Sequence, residues 1–188
     1  MKITGTFIDG ISHDIPHRNW GAKEWEMDFQ HMAAMGIDTV ISPWIEGKKA
    51  VPAASSGLTR ADAASVEEHG REWREILHGM QGAVDAVAFQ DGHIDYTEPD
   101  TFFTVNKKLA DQYGLQCWTN AESFDRDMQI KFFPIKFRKL QLKPEAARRA
   151  GYDEAITFEF SHFMSPQSAC IQAHHLYNRY NEYKATLL

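Results

Sequence analysis

The segment Gly114–Phe124, with the sequence GLQCWTNAESF, indicates how the chain is built. A helical pattern ends at Gly114, and the short apolar run that follows, with Leu115 and Cys117, is typical of a buried parallel strand. The chain then turns polar, and Glu122 comes at the end of the strand. The segment therefore predicts a strand whose far end delivers a carboxylate to an open site.

The same order of helix, glycine, apolar strand and acid recurs along the chain. Strands are predicted over these segments: Ile3–Ile8, Ile37–Ile41, Ala83–Phe89, the segment quoted above and Ala155–Phe160. Helices are predicted over these segments: Ala22–Met35, Ala63–Met80, Pro99–Tyr113, Pro144–Ala150 and a closing stretch after Ser165-Pro166. Strands separated by helices in this way imply a parallel sheet with right-handed crossovers.

Acids at the ends of successive strands favour one α/β architecture, the (β/α) TIM-type barrel, whose catalytic groups come from the C-terminal ends of different strands. The Gly-rich motifs of nucleotide-binding folds are absent from the sequence. Eight β/α units need about 200 residues or more, whereas this chain has 188. We therefore expect a single domain over residues 1–188, an incomplete barrel of about five to six β/α units with parallel strands.

Composition narrows the classes of partner. The net charge of −6 argues against a nucleic-acid backbone. The two cysteines lie far apart and the histidines form no three-ligand set, so we expect neither a metal nor another cofactor. No apolar run approaches the length of a membrane span, so no membrane partner is expected. The N-terminus leads directly into a strand rather than a signal peptide, which predicts a cytoplasmic protein by default, although an upstream signal lost from the chain would leave the same sequence.

Four acids stand where predicted strands end, and they are the candidates for acid–base chemistry: Asp9, Asp91, Glu122 and Glu159. Glycoside hydrolysis uses two carboxyl groups, about 5–5.5 Å apart for retention of configuration and about 6.5–9.5 Å apart for inversion. Glu122 follows Trp-Thr-Asn, and an amide beside a nucleophile can hydrogen-bond the 2-hydroxyl of the sugar. The alternative for Glu122 is an acid in the first turn of the next segment, where the helix dipole favours it.

The other three acids are equally open to a structural interpretation. Asp91 precedes a glycine, and Asp-Gly is an ordinary turn signal. Glu159 alternates with phenylalanines on a strand predicted to be buried, where an unpaired acid is costly. It therefore either serves the site or forms a salt bridge, for example with Arg126 or Arg138. Asp9 has the same two interpretations.

Aromatic and polar side chains near the strand ends are candidates for sugar binding, since an aromatic face packs well on the C–H face of a pyranose. The predicted substrate-binding set is Asp9, Trp20, Trp44, Gln90, His93, Trp118, Asn120 and His162. Trp25 and Trp73 fall on helix stripes and are predicted to be core. The basic and aromatic segment Lys131–Lys143 is predicted to be an amphipathic surface, because the acidic chain carries no nucleic-acid-binding motif.

Four segments resemble a family of bacterial domains of unknown function. They are FIDGISHDIPHRNWGAKEWEMDFQHMAAMGIDTV (7–40), VDAVAFQDGH (84–93), LQCWTNAESFDRDM (115–128) and ITFEFSHFMSP (156–166). The resemblance implies a glycoside-hydrolase-like TIM barrel, and members of this family are sometimes labelled as presumed α-L-fucosidases. Relatives in the family are expected to be exported.

The chain departs from the family in one place. A segment like GIDTVI is the second strand of the family and a segment like ISPWIEGKKA is the fifth, and here the two are joined at about Val40–Ser42. The third and fourth β/α units are thus expected to be missing. In the large retaining clan of barrel glycosidases the fourth strand carries the acid/base and the seventh strand carries the nucleophile. The resemblance places Glu122 at the nucleophile's position and implies a site that lacks its usual second carboxylate.

The resemblance and the residues together predict a glycoside-hydrolase-like domain that acts on or binds a glycan. Glu122 is the expected nucleophile, with Asp91 or Glu159 as its partner. One alternative is a carbohydrate-binding pseudoenzyme that kept the sugar platforms and lost the chemistry. Another is an internally deleted fragment of a larger barrel with no function of its own. The edges of an incomplete barrel are exposed, so association of two copies through them is also expected.

Overall fold

The computed structural model describes residues 1–8, 15–41, 44–45, 48–49, 66–91, 99–125 and 132–187. The strands are β1 (Gly5–Phe7), β2 (Thr39–Ile41), β3 (Trp44–Ile45), β4 (Lys48–Lys49), β5 (Ala86–Gln90), β6 (Gln116–Glu122), β7 (Phe124–Asp125), β8 (Phe133–Pro134) and β9 (Glu154–Phe158). The helices are a 3-10 helix (Pro16–Asn19), α1 (Ala22–Met35), α2 (Val66–Met80), α3 (Pro99–Gln112), α4 (Phe137–Ala150), α5 (Phe160–Phe163) and α6 (Ile171–Ala185).

Five strands form one sheet in the order β2-β1-β9-β6-β5, and every neighbouring pair is parallel. The first strand of the chain therefore lies beside the last one, which is the neighbourhood that a β/α barrel creates when its final strand returns to its first. Among the described residues, β2 and β5 stand at the two ends of the sheet and do not pair with each other. The predicted α/β fold with parallel strands is confirmed, in the form of an incomplete barrel.

The two faces of the sheet differ in what covers them, because side chains alternate along a strand. On β6, Cys117 and Ala121 belong to the hydrophobic core, and α3 and α4 pack against this strand. Trp118, Asn120 and Glu122 occupy the alternate positions and so share the opposite face, which is the inner face of a barrel. The helices thus cover the outer face, and the inner face carries Trp118, Asn120 and Glu122 of β6.

Two glycines end helices in the way the sequence predicts. Gly36 follows α1 with φ of 94°, and Gly151 follows α4 with φ of 86°. Both are in the left-handed region, where glycine has no steric penalty. Each chain reversal leads within a few residues into the next strand of the sheet.

Two helices do not begin where the sequence predicts. α4 begins at Phe137 rather than at Pro144, which lies inside the helix. A proline there cannot donate to the carbonyl oxygen four residues earlier, so a pattern-based start at proline is reasonable but wrong here. α6 begins at Ile171 rather than after Ser165, because the hydroxyl of Ser165 accepts from the Gln167 N–H and donates to a buried carboxylate.

That carboxylate belongs to Asp28, which is fully buried on α1. It accepts hydrogen bonds from the hydroxyls of Ser161, at 2.8 Å, and Ser165, and from the side-chain amide of Gln167 at 3.4 Å. The buried side chains of α1 are Asp28, Met32 and Met35, whereas Phe29, the residue after Asp28, is exposed. The buried side of α1 thus includes an acid that accepts hydrogen bonds from two serine hydroxyls.

We expect Asp28→Ala to lower the free energy of unfolding by about 1.5–3 kcal/mol, because two buried hydroxyls then lose a charged hydrogen-bond acceptor. Glu26→Ala on the same helix is the matched control, since Glu26 is exposed. Urea unfolding monitored by circular dichroism measures both. Equal losses for the two variants would contradict a structural role for the buried carboxylate.

No helix in the described part of the chain is both long enough and apolar enough to cross a membrane.

Candidate functional site

The C-terminal ends of β5 and β6 bring three predicted site residues together. Gln90 is the last residue of β5 and pairs with Asn120, and Glu122 is the last residue of β6. The side-chain amide of Gln90 donates a hydrogen bond to the Oε1 atom of Glu122. The Oδ1 atom of Asp91 accepts the backbone N–H of Glu122 at 3.0 Å. Gln90 and Asp91 therefore contact the same residue, one through its carboxylate and the other through its backbone.

A lysine completes this cluster. Lys143 on α4 donates from Nζ to Asp91 Oδ1 at 2.9 Å and to the backbone oxygen of Glu122 at 3.0 Å. The side chains of Lys143 and Asp91 are 3% and 0% exposed, so the ion pair is buried. The sequence-based expectation that the segment up to Lys143 is a surface is wrong at this residue. The sequence does contain an indication that Lys143 is buried, because it lies three residues after the buried Leu140 on the apolar stripe of α4.

The electrostatics of Asp91 follow from this burial. Loss of hydration raises the pKa of the Asp91 carboxyl above its ordinary value, the Lys143 ammonium opposes that shift, and the nearby Glu122 charge adds to it. The carboxyl lies in the interior, and its Oδ1 accepts two hydrogen bonds, one from the Glu122 N–H and one from Lys143. The structure therefore places Asp91 at the predicted edge of the sheet, but in contact with protein groups.

Glu159 stands at the same edge. It follows Phe158, which pairs with Glu122 in the parallel ladder of β6 and β9. The hydroxyl of Ser123 donates to the backbone oxygens of Phe158 and Glu159 at 3.0 and 3.1 Å, which ties the ends of the two strands together. The peptide bond between Phe158 and Glu159 is cis. Glu159 is fully buried, and with Asp91 and Glu122 it is one of the three predicted site acids that the described residues bring to this edge.

Asn120 and Trp118 share the inner face with Glu122 but differ in their position along the strand. Asn120 is buried two residues before Glu122, and its Oδ1 atom accepts no hydrogen bond from the residues that the structure describes. Trp118 pairs with Glu154, the first residue of β9, and its indole N–H donates to Gln116. At about 3.3 Å per residue, Trp118 lies about 13 Å from Glu122 along the strand. Trp118 thus lies farther from the end of β6 than Glu122 does, and its role as a sugar platform stays a prediction.

Trp20 and His162 are half-buried. Trp20 packs edge-on against Trp25, with ring centroids 5.2 Å apart, and His162 stacks on Phe163 at 4.1 Å. The 3-10 helix that precedes Trp20 packs against α5, which carries His162. Both residues therefore lie near the end of β9, and sugar binding by either remains a prediction.

Three further predicted site residues cannot be placed. Asp9 and His93 lie outside the described residues, and of Trp44 only the backbone, in β3, is described. Their roles stay predictions. Within the described ranges, no group of three or more His, Cys, Asp or Glu side chains could hold a metal ion.

The fold agrees with what comparison with known proteins finds. The chain belongs to the family described as "Domain of unknown function (DUF4434)", whose model matches residues 3–56 and 41–170. The family resemblance stated from the sequence is thereby confirmed. The two matched segments overlap at 41–56, so the match is not one continuous segment, and the predicted junction at Val40–Ser42 lies where the overlap begins.

Among solved structures, the chain is similar to one described as the "crystal structure of a putative alpha-L-fucosidase from Bacteroides thetaiotaomicron VPI-5482". The two chains are 41% identical, the TM-score is 0.83, and the similarity covers 97% of this chain and 95% of that chain. No curated protein matches the chain.

Proposed function

We propose that this chain is a glycoside-hydrolase-like domain that binds a glycan at the C-terminal edge of its sheet, with Glu122 facing the sugar. The class of sugar that we propose, an α-L-fucoside, comes from the description of the similar solved protein. One observation carries the proposal: a carboxylate at the end of a parallel strand accepts a hydrogen bond from the side-chain amide at the end of the neighbouring strand. Barrel enzymes assemble their sites from side chains in this position.

The chemistry open to Glu122 is that of a nucleophile. Its carboxylate oxygen would bond to the anomeric carbon while the bond from that carbon to the leaving oxygen breaks and the electron pair departs with that oxygen. Water would then hydrolyse the glycosyl ester and restore the carboxylate. The first step needs an acid to protonate an ordinary leaving group, because an alkoxide departs poorly.

The described residues of the site offer few groups that could supply this acid. Asp91 is bonded to Lys143 and to the Glu122 backbone, and we therefore assign the acid role, if it is filled by a described residue, to Glu159. General acid catalysis is typically worth about 10²–10⁴ in rate. We accordingly expect slow cleavage of ordinary disaccharides and faster cleavage of substrates whose leaving group needs no proton.

A second candidate function is that of a carbohydrate-binding pseudoenzyme. Glu122 is 1% exposed, and a nucleophile must reach the anomeric carbon. Binding through Asn120 and Gln90 does not require that reach. This candidate differs from the first in predicting no Glu122-dependent turnover on any substrate.

The test is a panel of aryl α-L-fucosides with activated leaving groups beside ordinary fucosylated disaccharides, with binding of L-fucose measured by calorimetry. Binding with turnover of only the activated substrates supports the proposed function. Binding without any turnover supports the pseudoenzyme. Neither binding nor turnover on any sugar of the panel would overturn both and favour an internally deleted fragment. Efficient cleavage of the disaccharides would show that a general acid is present.

The exposed barrel edge leads to a separate prediction about association. Phe29 on α1 and Val40 on the end strand β2 are 44% and 40% exposed. Exposed large apolar side chains, one of them on an end strand of the sheet that the described residues form, favour contact with a second copy. We expect the sedimentation coefficient to rise with protein concentration, and Phe29→Glu combined with Val40→Thr to suppress the rise. Ile171→Thr, at an exposed site on α6, is the control. A monomer at all concentrations would contradict the prediction.

A further inference from the structure

We propose that the buried ion pair of Asp91 and Lys143 is a positioning device that holds the backbone of Glu122, so that these two residues are positioning residues rather than a source of acid. The inference rests on the proposed role of Glu122 for its functional meaning. Its structural content stands on contacts of described residues alone.

The backbone direction of Glu122 follows from the hydrogen-bond ladder between β5 and β6. In a parallel pair, the N–H and the C=O of one residue point to the same neighbouring strand, and the next residue points to the other. Asn120 faces β5, since its oxygen accepts the Asp91 N–H at 3.4 Å, and Ser123 faces β9, since its N–H donates to the Phe158 oxygen at 3.0 Å. Glu122 therefore directs both of its backbone polar groups toward β5, which ends at Gln90.

The side chains of the ion pair make the hydrogen bonds to Glu122 that the backbone of a longer β5 would make. The Asp91 carboxylate accepts the Glu122 N–H at 3.0 Å, where a backbone oxygen of a longer β5 would have done so. The Lys143 ammonium donates to the Glu122 oxygen at 3.0 Å, in place of a backbone N–H. The 2.9 Å contact between the two side chains joins the donor and the acceptor into one unit. Both bonds to Glu122 are charge-assisted, and such bonds are shorter and stronger than neutral ones.

The side chain of Glu122 is held from the same strand end. Gln90 precedes Asp91 in the chain and donates to the Glu122 carboxylate. Glu122 is thus bonded at its N–H, its C=O and its Oε1 by three side chains. A reacting group must be held close to its productive geometry, and a displacement of about 1 Å can cost about 10²-fold in rate. Burying a charge pair costs desolvation free energy. Holding Glu122 in place supplies a reason for the Asp91–Lys143 pair to lie at the end of β6.

The rival explanation is that the pair only docks α4 against the sheet. The experiment therefore compares double variants that remove both charges, because a single change leaves a buried charge unpaired. Asp91→Leu with Lys143→Met removes both hydrogen bonds to Glu122, whereas Asp91→Asn with Lys143→Gln is neutral and retains an acceptor and a donor. Asp100→Leu with Arg149→Met is the matched control, at an ion pair whose side chains are 66% and 47% exposed.

Two readouts are taken on variants shown to be folded by thermal unfolding. Amide hydrogen exchange at Glu122 reports the backbone contact without any substrate, and we expect about tenfold faster exchange in the apolar variant and a smaller change in the neutral one. On an activated aryl α-L-fucoside we expect kcat of the apolar variant to fall by about 10²-fold while KM changes little. The neutral variant should recover part of kcat, and the surface control should match the wild type in both readouts.

Each outcome decides whether the Asp91–Lys143 pair positions Glu122. A folded apolar variant with wild-type exchange and wild-type kcat would overturn the inference and leave the docking explanation. If the wild type turns over no fucoside, the proposed function fails, and the exchange at Glu122 still decides whether the pair holds its backbone. If the apolar variant does not fold, Asp91→Asn with Lys143→Gln is compared with Asp91→Asn with Lys143→Met, which differ in the donor to the Glu122 oxygen; equal kcat and exchange in these two would also overturn the inference.

Discussion

Glu122→Gln is expected to reduce the cleavage of an activated aryl α-L-fucoside by about 10³-fold or more, because no other group replaces a covalent nucleophile. Glutamine has the size of glutamate and its oxygen can still accept the hydrogen bond that Gln90 donates to this side chain. The fold and the binding of L-fucose should therefore change little, so the loss should fall on kcat. Initial rates with the aryl fucoside, together with calorimetric titration of L-fucose, measure the two effects.

The matched control is Glu154→Gln. Glu154 is the first residue of β9, at the opposite end of the same sheet, and it accepts a hydrogen bond from Thr4 that glutamine can also accept. We expect this variant to keep wild-type turnover. Full activity of Glu122→Gln, or an equal loss in both variants, would rule out Glu122 as the nucleophile. A loss in Glu159→Gln that matches or exceeds that of Glu122→Gln would assign the nucleophile to Glu159 instead.

Lys143→Met is expected to lower the free energy of unfolding at neutral pH by about 3–5 kcal/mol, because it leaves the Asp91 carboxylate buried without its cationic partner. Lys139→Met on the same helix is the control. Lys139 pairs with Asp125 at 2.8 Å, but its side chain is 30% exposed, and exposed pairs are worth about 0–1 kcal/mol. Urea unfolding of the two variants measures the difference.

The loss in free energy of unfolding caused by Lys143→Met should depend on pH, and the pKa of Asp91 determines whether it grows or shrinks as the pH rises. Burial raises this pKa above its ordinary value of 3.8, and Lys143 opposes the shift. Between the ordinary and the raised value the folded chain binds more protons than the unfolded chain, so stability falls as pH rises through that window. Removing the Lys143 ammonium removes the interaction that opposes the shift, so the pKa of Asp91 rises further and this pH range extends to higher pH. We expect a small penalty at about pH 4 and the full penalty at about pH 8. A penalty that is independent of pH would contradict the burial of an ionised Asp91.

Much of the fold could be predicted from the sequence because its signals are local. The helix Ala22–Met35 has the predicted bounds, and each of the five predicted strands overlaps a strand of the sheet. Glycine stops, helical periodicity and short apolar runs act over a few residues, so they are legible without knowledge of packing. The same holds for the placing of Gln90, Asp91 and Glu122 at strand ends, since the change from apolar to polar residues marks where a strand stops.

The sequence by itself thus determined a parallel α/β chain with Glu122, Gln90 and Asp91 at one edge. The tertiary structure alone decided what these residues contact. Lys143 and Asp91 are 52 positions apart, and their pairing depends on how α4 packs against β6, which no local pattern records. Likewise, Phe29 lies four residues after Trp25 and three before the buried Met32, yet it is exposed, whereas Asp28 is buried on α1. Periodicity states which residues share a face, whereas packing decides which face is buried and which charges meet there.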